Sequence, residues 1–214
     1  MNTRRSGAAL LITGLVLATA AGCASGAGET GPDSSATPTE KQTLAPTASS
    51  SPSADPQDPT TWIISDAGVG PIEIGAQLDE TLTQLPDTWT NDENCSWTAW
   101  WNSEDSSYGV FFVRGTESDD APLREISVYT AAEEPVAVPS PVTEAGLGIG
   151  ATKEEVAAAY PGAEEGEAPI GGGTWLKLPG EGQAHVFFEF REGATGASDV
   201  VVTVGEQPSY EVCG

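Results

Sequence analysis

The sequence predicts an α+β protein: two tandem copies of a short helix packed on a three- or four-stranded antiparallel sheet, carried at the end of a long tether. Three observations predict it. The segment GPIEIGAQLDETLTQLP (70–86) aligns with AGLGIGATKEEVAAAYP (145–161) at an offset of 75, matching Ile74 with Ile149, Gly75 with Gly150, Glu80 with Glu155 and Pro86 with Pro161. Further on, VFF at 110–112 recurs at 186–188, and ISV at 126–128 aligns with VTV at 202–204, both at an offset of 76. In each copy a stretch of helical period comes first and alternating apolar runs follow.

The chain opens as an export signal, 1–22, with positive charge at Arg4 and Arg5, an apolar stretch over 7–21 and small residues before Cys23. That stretch is too short to span a bilayer comfortably. The next segment, 23–60, has no aromatic residue, one large aliphatic (Leu44) and prolines at 32, 38, 46, 52, 56 and 59. It buries too little apolar surface to offset its ordering entropy and reads as a disordered Ser/Thr/Pro/Ala tether.

Repeat unit 1 (61–140) and repeat unit 2 (141–214) follow. In the second copy Thr152 and Glu155 form a capping box for a short helix that Pro161 ends; in the first, Leu78, Leu82 and Leu85 make the helical stripe, with Gln77 a poor cap. Strands are expected at 95–101, 108–114 and 123–130, and again at 173–178, 185–191 and 199–205, separated by turn-forming and acidic stretches.

Two resemblances arise from these residues. AAGC at 20–23 resembles the lipobox of bacterial lipoproteins, which implies that the thiol of Cys23 is alkylated by diacylglycerol, becomes the mature N-terminus and holds the protein on the extracytoplasmic face of the cell membrane. The tandem motif, a glycine-closed strand, a short helix with an acidic middle, a proline and a meander, resembles the secreted β-lactamase-inhibitor-protein fold. A single unit is similar to the small lipoprotein of the outer-membrane barrel-assembly machinery. That resemblance spans most of 68–214 and implies a protein that binds other proteins and catalyses nothing.

Charge narrows the function classes. The chain carries 32 Asp and Glu against eight Lys and Arg, a formal net charge of −24. Nucleic acid and anionic lipid surfaces are repelled, so membrane contact is expected through the lipid anchor alone. His185, in QAHVFFEF, is the single histidine, and no nucleophile-elbow motif accompanies it. Paired carboxylates of the glycosidase kind arise by chance in so acidic a domain. The acidic turns NDEN (91–94) and ESDD (117–120) lack the spaced ligands of a calcium loop. No enzyme, no cofactor and no metal site is expected. With Cys23 lipidated, Cys95 and Cys213 are the remaining thiols, and an oxidising compartment favours their pairing.

Strand alternation places Trp97, Ala99 and Trp101 on the helix face with Val110, Phe112, Ile126 and Val128. It sends Trp100, Phe111, Val113 and Tyr129 to the opposite face as a candidate binding patch. The leading expectation is a cell-surface lipoprotein whose tandem domain binds an extracytoplasmic protein or cell-wall component. The alternative is an envelope sensor or ligand-binding lipoprotein with a small molecule in a groove between the copies. A protein partner predicts a broad aromatic sheet face, whereas a ligand predicts a closed pocket between the units.

Overall fold

The computed structural model describes residues 55–213; the expected export signal, Cys23 and most of the expected tether lie outside the described residues. The fold is mainly β, and this corrects the expected α+β architecture. Among the described residues eleven strands form a four-stranded and a seven-stranded sheet, and two α-helices span seven residues each.

The small sheet holds β1 (Ile63–Ser65), β2 (Gly68–Val69), β3 (Ile72–Glu73) and β7 (Val142–Thr143), in the order β3-β2-β1-β7. The large sheet contains β4 (Thr98–Asn102), β5 (Gly109–Arg114), β6 (Leu123–Tyr129), β8 (Glu164–Glu167), β9 (Thr174–Lys177), β10 (His185–Phe190) and β11 (Asp199–Thr203). Its order is β4-β5-β6-β11-β10-β9-β8, antiparallel throughout.

The expected strands therefore form, but they do not make two sheets. β6 and β11, the last strand of each meander, would both be open edges, and they pair with one another over Asp199–Tyr129 through Thr203–Glu125. Pairing satisfies two rows of backbone groups that separate sheets would leave exposed. The boundary between 61–140 and 141–214 runs inside one compact unit. The register also corrects the repeat alignment. Val110 pairs with Val128 and Val186 with Val202, so laying Val110 on Val186 sets Val128, not Ile126, over Val202. The shift of two preserves which face each side chain takes.

The helices are α1 (Leu78–Gln84) and α2 (Lys153–Ala159). At two turns neither is stable alone, and packing must hold both. Leu78 and Leu85 bury the first, and Val156 buries the second. The second also carries its capping box, with Glu155 N donating to Thr152 Oγ1 at 3.2 Å and Thr152 N donating to Glu155 Oε2 at 2.9 Å. The glycine that precedes each helix has a positive φ, 89° at Gly75 and 81° at Gly150, and a Cβ on Gly150 would lie 2.1 Å from the backbone of Val136 and Ala137. That is why glycine recurs there.

The core lies between one face of the large sheet and a layer made of the helices and the small sheet. Ala99, Val110, Phe112, Ile126, Val128, Val200, Val202, Val186 and Phe188 cluster with Trp62, Ile64, Val69, Ile72 and Val156. Trp89 stacks between Trp62 and Trp101, at centroid distances of 6.4 and 6.3 Å. Residues of the opposite face stay outside this cluster, including Phe187 and Val201, buried though they are.

Candidate functional site

Register sorts the open face of the large sheet into rows. One row runs Asn102, Gly109, Tyr129, Asp199, Glu189 and Trp175 from β4 to β9; the next runs Trp100, Phe111, Ser127, Val201, Phe187 and Lys177. A third row, toward the start of β4, begins Thr98, Val113, Glu125, Thr203 and His185.

A cavity of about 750 Å³ occupies this face. Its lining includes Trp100 on the edge strand β4, the turn between β8 and β9 through Ile170 and Gly171, and the C-terminal segment 209–213. At ~4.8 Å between strands, a flat seven-stranded sheet would separate its edges by roughly 29 Å. The edge strand β4 lines the cavity from one end, and Thr174 of β9 with the β8–β9 turn lines it from the other, so sheet twist and that turn together enclose it. The floor comes from both repeats, with Phe111, Ser127 and Tyr129 from the first and Glu189, Asp199 and Val201 from the second.

The C-terminal segment is fastened across one end of the groove. Cys213 is disulfide-bonded to Cys95, across a separation of 118 residues and with their Cα atoms 5.7 Å apart. Trp97 Nε1 donates to Val212 O at 2.9 Å, Ser209 N to Glu125 Oε2 at 3.0 Å, and the Tyr210 hydroxyl to Glu189 Oε1 at 2.6 Å.

This segment alters the expected aromatic patch. Trp100 is 40% exposed at the groove's edge, and Phe111 and Tyr129 are half-buried with their rings edge to face at 5.8 Å. Val113 is 5% exposed and is not part of an open patch. It pairs with Thr98 and Glu125, whose side chains meet Cys213 and Ser209, so the tail shields that end of the face. Trp97 also departs from its expected place on the helix face. Cys95 ends a 3-10 turn (Glu93–Cys95), β4 begins only at Thr98, and alternation does not extend back to Trp97.

Sequence reasoning passed over the acids of the floor. Glu125 and Glu189 interrupt the apolar runs of LREISVY and HVFFEF on the groove side, and Asp199 opens DVVVT on that same side. Position within strands, rather than the number of acids, was the usable signal. Burial pushes the Glu189 carboxyl up to about 7; the Tyr210 hydroxyl opposes the shift, while the charges of Asp199 and Glu125 add to it. Burial also raises Asp199, opposed by Ser198, Arg191 and Ser127, and raises Glu125, opposed by Thr203 and Ser209. Asp199 lies directly opposite Glu189 across β10 and β11, a cross-strand placement that like charges disfavour.

The basic side chains of the neighbouring strands are turned to other tasks. Arg191 donates to the carbonyls of Thr130 and Ala132, and Lys177 lies 5.9 Å from the centroid of Phe187. His185 stands edge-on to Phe187 at 6.5 Å. Of the acidic turns, Asp92 caps its 3-10 turn by accepting from Asn94 N, and Asp119 pairs with Arg114 at 3.1 Å. Among the described residues no three His, Cys, Asp or Glu side chains are grouped to hold a metal ion, and no helix is long and apolar enough to cross a membrane.

No protein family, curated protein or solved structure matches the chain.

Proposed function

We propose that this chain is a lipoprotein, anchored through Cys23 on the extracytoplasmic face of the membrane, whose domain binds a small ligand in the groove shared by the two repeats and performs no chemistry on it. The observation that carries this reading is the groove itself. It measures about 750 Å³, within the range of roughly 300–1,000 Å³ typical of small-molecule sites, and its floor is drawn from both halves of the large sheet. A flat protein–protein contact buries on the order of 800 Å² per partner, and here the tail and the β8–β9 turn rise from the face such a partner would need.

Native mass spectrometry of protein released from its own membrane tests the reading. A bound species of small-molecule mass is expected, and its occupancy should fall in Trp100→Ala. Recovery of protein complexes only, with the groove empty, would return the function to a protein partner. A second reading rests on the raised carboxyl of Glu189, since an acid held near neutrality in a cavity is the equipment of general acid catalysis. The Tyr210 hydroxyl already occupies that carboxyl, which favours binding over turnover. A product mass appearing with time in the same spectra would establish catalysis instead.

The anchor has its own test. Cys23→Ser should shift the protein from the membrane fraction to the medium, because a diacyl chain is its expected hold on the bilayer. Retention on the membrane at wild-type levels would end the lipoprotein reading.

A further inference from the structure

The geometry points to an amphipathic organic cation as the groove's ligand: a protonated amine seated on Glu189 and Asp199, with an aromatic or alkyl body lying over Tyr129, Phe111 and Trp100. This rests on the reading of the groove as a small-ligand site and names the chemistry of that ligand.

Register supplies the first argument. Asp199 is flanked by Glu189 on β10 and by Tyr129 on β6, so two adjacent carboxylates open directly onto an aromatic surface. Phe111 and Tyr129 meet edge to face, and Trp100 pairs with Phe111 across β4 and β5. A cation on the acids therefore has apolar surface within about two strand spacings, ~10 Å, on one side. The exposed Trp100 at the rim is a ring that an aromatic or alkyl group can cover.

Charge supplies the second. Glu125, Glu189 and Asp199 all lie on this floor, and Glu211 belongs to the same lining. Beside them are Tyr129 from β6, Trp175 from β9, Tyr210 from the tail, Arg191 just after β10 and, next to Glu125, Arg124 of β6. Arg191 contributes the one guanidinium near Asp199, and its donors are directed to the Thr130 and Ala132 carbonyls. Buried carboxylates left without a matched cation cost stability, and a ligand that brings one recovers part of that cost on binding. A metal ion fits less well than an amine, since the acids are not grouped to ligate one and the lining is chiefly apolar.

Protonation makes the class measurable. With Glu189 titrating near neutrality, an arriving cation stabilises the carboxylate and expels a proton, whereas a neutral ligand of the same shape does not. Calorimetry on the full-length protein in detergent, with 4-phenylbutylamine, 4-phenylbutanol and 4-phenylbutyrate as matched probes, decides the matter. At pH 7 the amine is expected to bind at least ten-fold more tightly than the alcohol, the acid more weakly than either. Amine titrations in two buffers of different ionisation enthalpy should report release of a fraction of a proton. Glu189→Gln is expected to erase the preference for amine over alcohol while alcohol binding persists, which also shows that the variant is folded. Equal or tighter binding of the alcohol to the wild-type protein would overturn the cation class and leave the groove reading intact. Binding by none of the three, with tryptophan fluorescence unperturbed, would overturn both.

Discussion

Two adjacent tryptophans point to opposite faces of the large sheet. Trp101 points to the core, stacked on Trp89 at 6.3 Å and edge-on to Tyr108 at 5.7 Å, while Trp100, its neighbour in sequence, stands 40% exposed at the groove's rim. Trp101→Ala should lower stability by ~3 kcal/mol through the cavity it leaves. Trp100→Ala should leave the melting temperature nearly unchanged and weaken ligand capture by ~2 kcal/mol. Thermal unfolding and calorimetry on the two variants read both effects, and equal unfolding in both would place Trp100 in the packed interior. Their opposite orientations were legible in the sequence, because period-two alternation holds through β4. The same rule misplaced Trp97, where a 3-10 turn interrupts it, and it could not show that Val113 lies beneath the tail. Which strand residues face away from the helices is a local property, whereas what covers them depends on a segment nearly a hundred residues further along the chain.

At the scale of elements, the C-terminal segment is the piece with the least intrinsic structure and the most specific fastening. It forms no strand, yet the Cys95–Cys213 bridge, the Trp97 indole, Glu125 and Glu189 all hold it to the sheet. The pairing was legible from the number of thiols and an expected oxidising compartment; the tail's use as a wall of the groove was not, since 205–213 has no hydrophobic period to read. The double variant Cys95→Ala/Cys213→Ala removes a constraint on more than a hundred residues, worth about 4–5 kcal/mol on the chain-entropy view. A lowered melting temperature is expected, together with faster hydrogen exchange at the Ser209 amide. Unchanged exchange there would mean that the hydrogen bond to Glu125 holds the tail without the bridge. The merger of the two meanders was also beyond the sequence. Each copy reads as complete by itself, and the drive to pair β6 with β11 comes from edges that exist only once both meanders have formed.

For the molecule as a whole, acidity and the buried carboxylates push stability in one direction with pH. A carboxyl whose folded pKa is raised binds its proton more tightly in the native state than in the unfolded chain. Its contribution is therefore fully present below the unfolded value, near 4, and is lost as pH rises through the folded value. For Glu189 that loss extends to about 7, and the raised carboxyls of Glu125 and Asp199 act in the same sense. Self-repulsion in a chain of formal charge −24 also grows with pH, so the two causes must be separated. Salt separates them. In 0.5 M salt the Debye length falls to roughly 4 Å, which screens surface charges while acting far less on buried carboxylates. In that medium the unliganded protein should melt several degrees higher at pH 5 than at pH 8, and Glu189→Gln should remove most of the difference by stabilising the protein at pH 8. A melting temperature at pH 8 equal to or above that at pH 5 would mean that the carboxylates of the groove are solvated as ordinary surface acids. The difference should also shrink in the presence of a saturating amine, because a cation paired with the Glu189 carboxylate at pH 8 offsets the desolvation that raises its pKa.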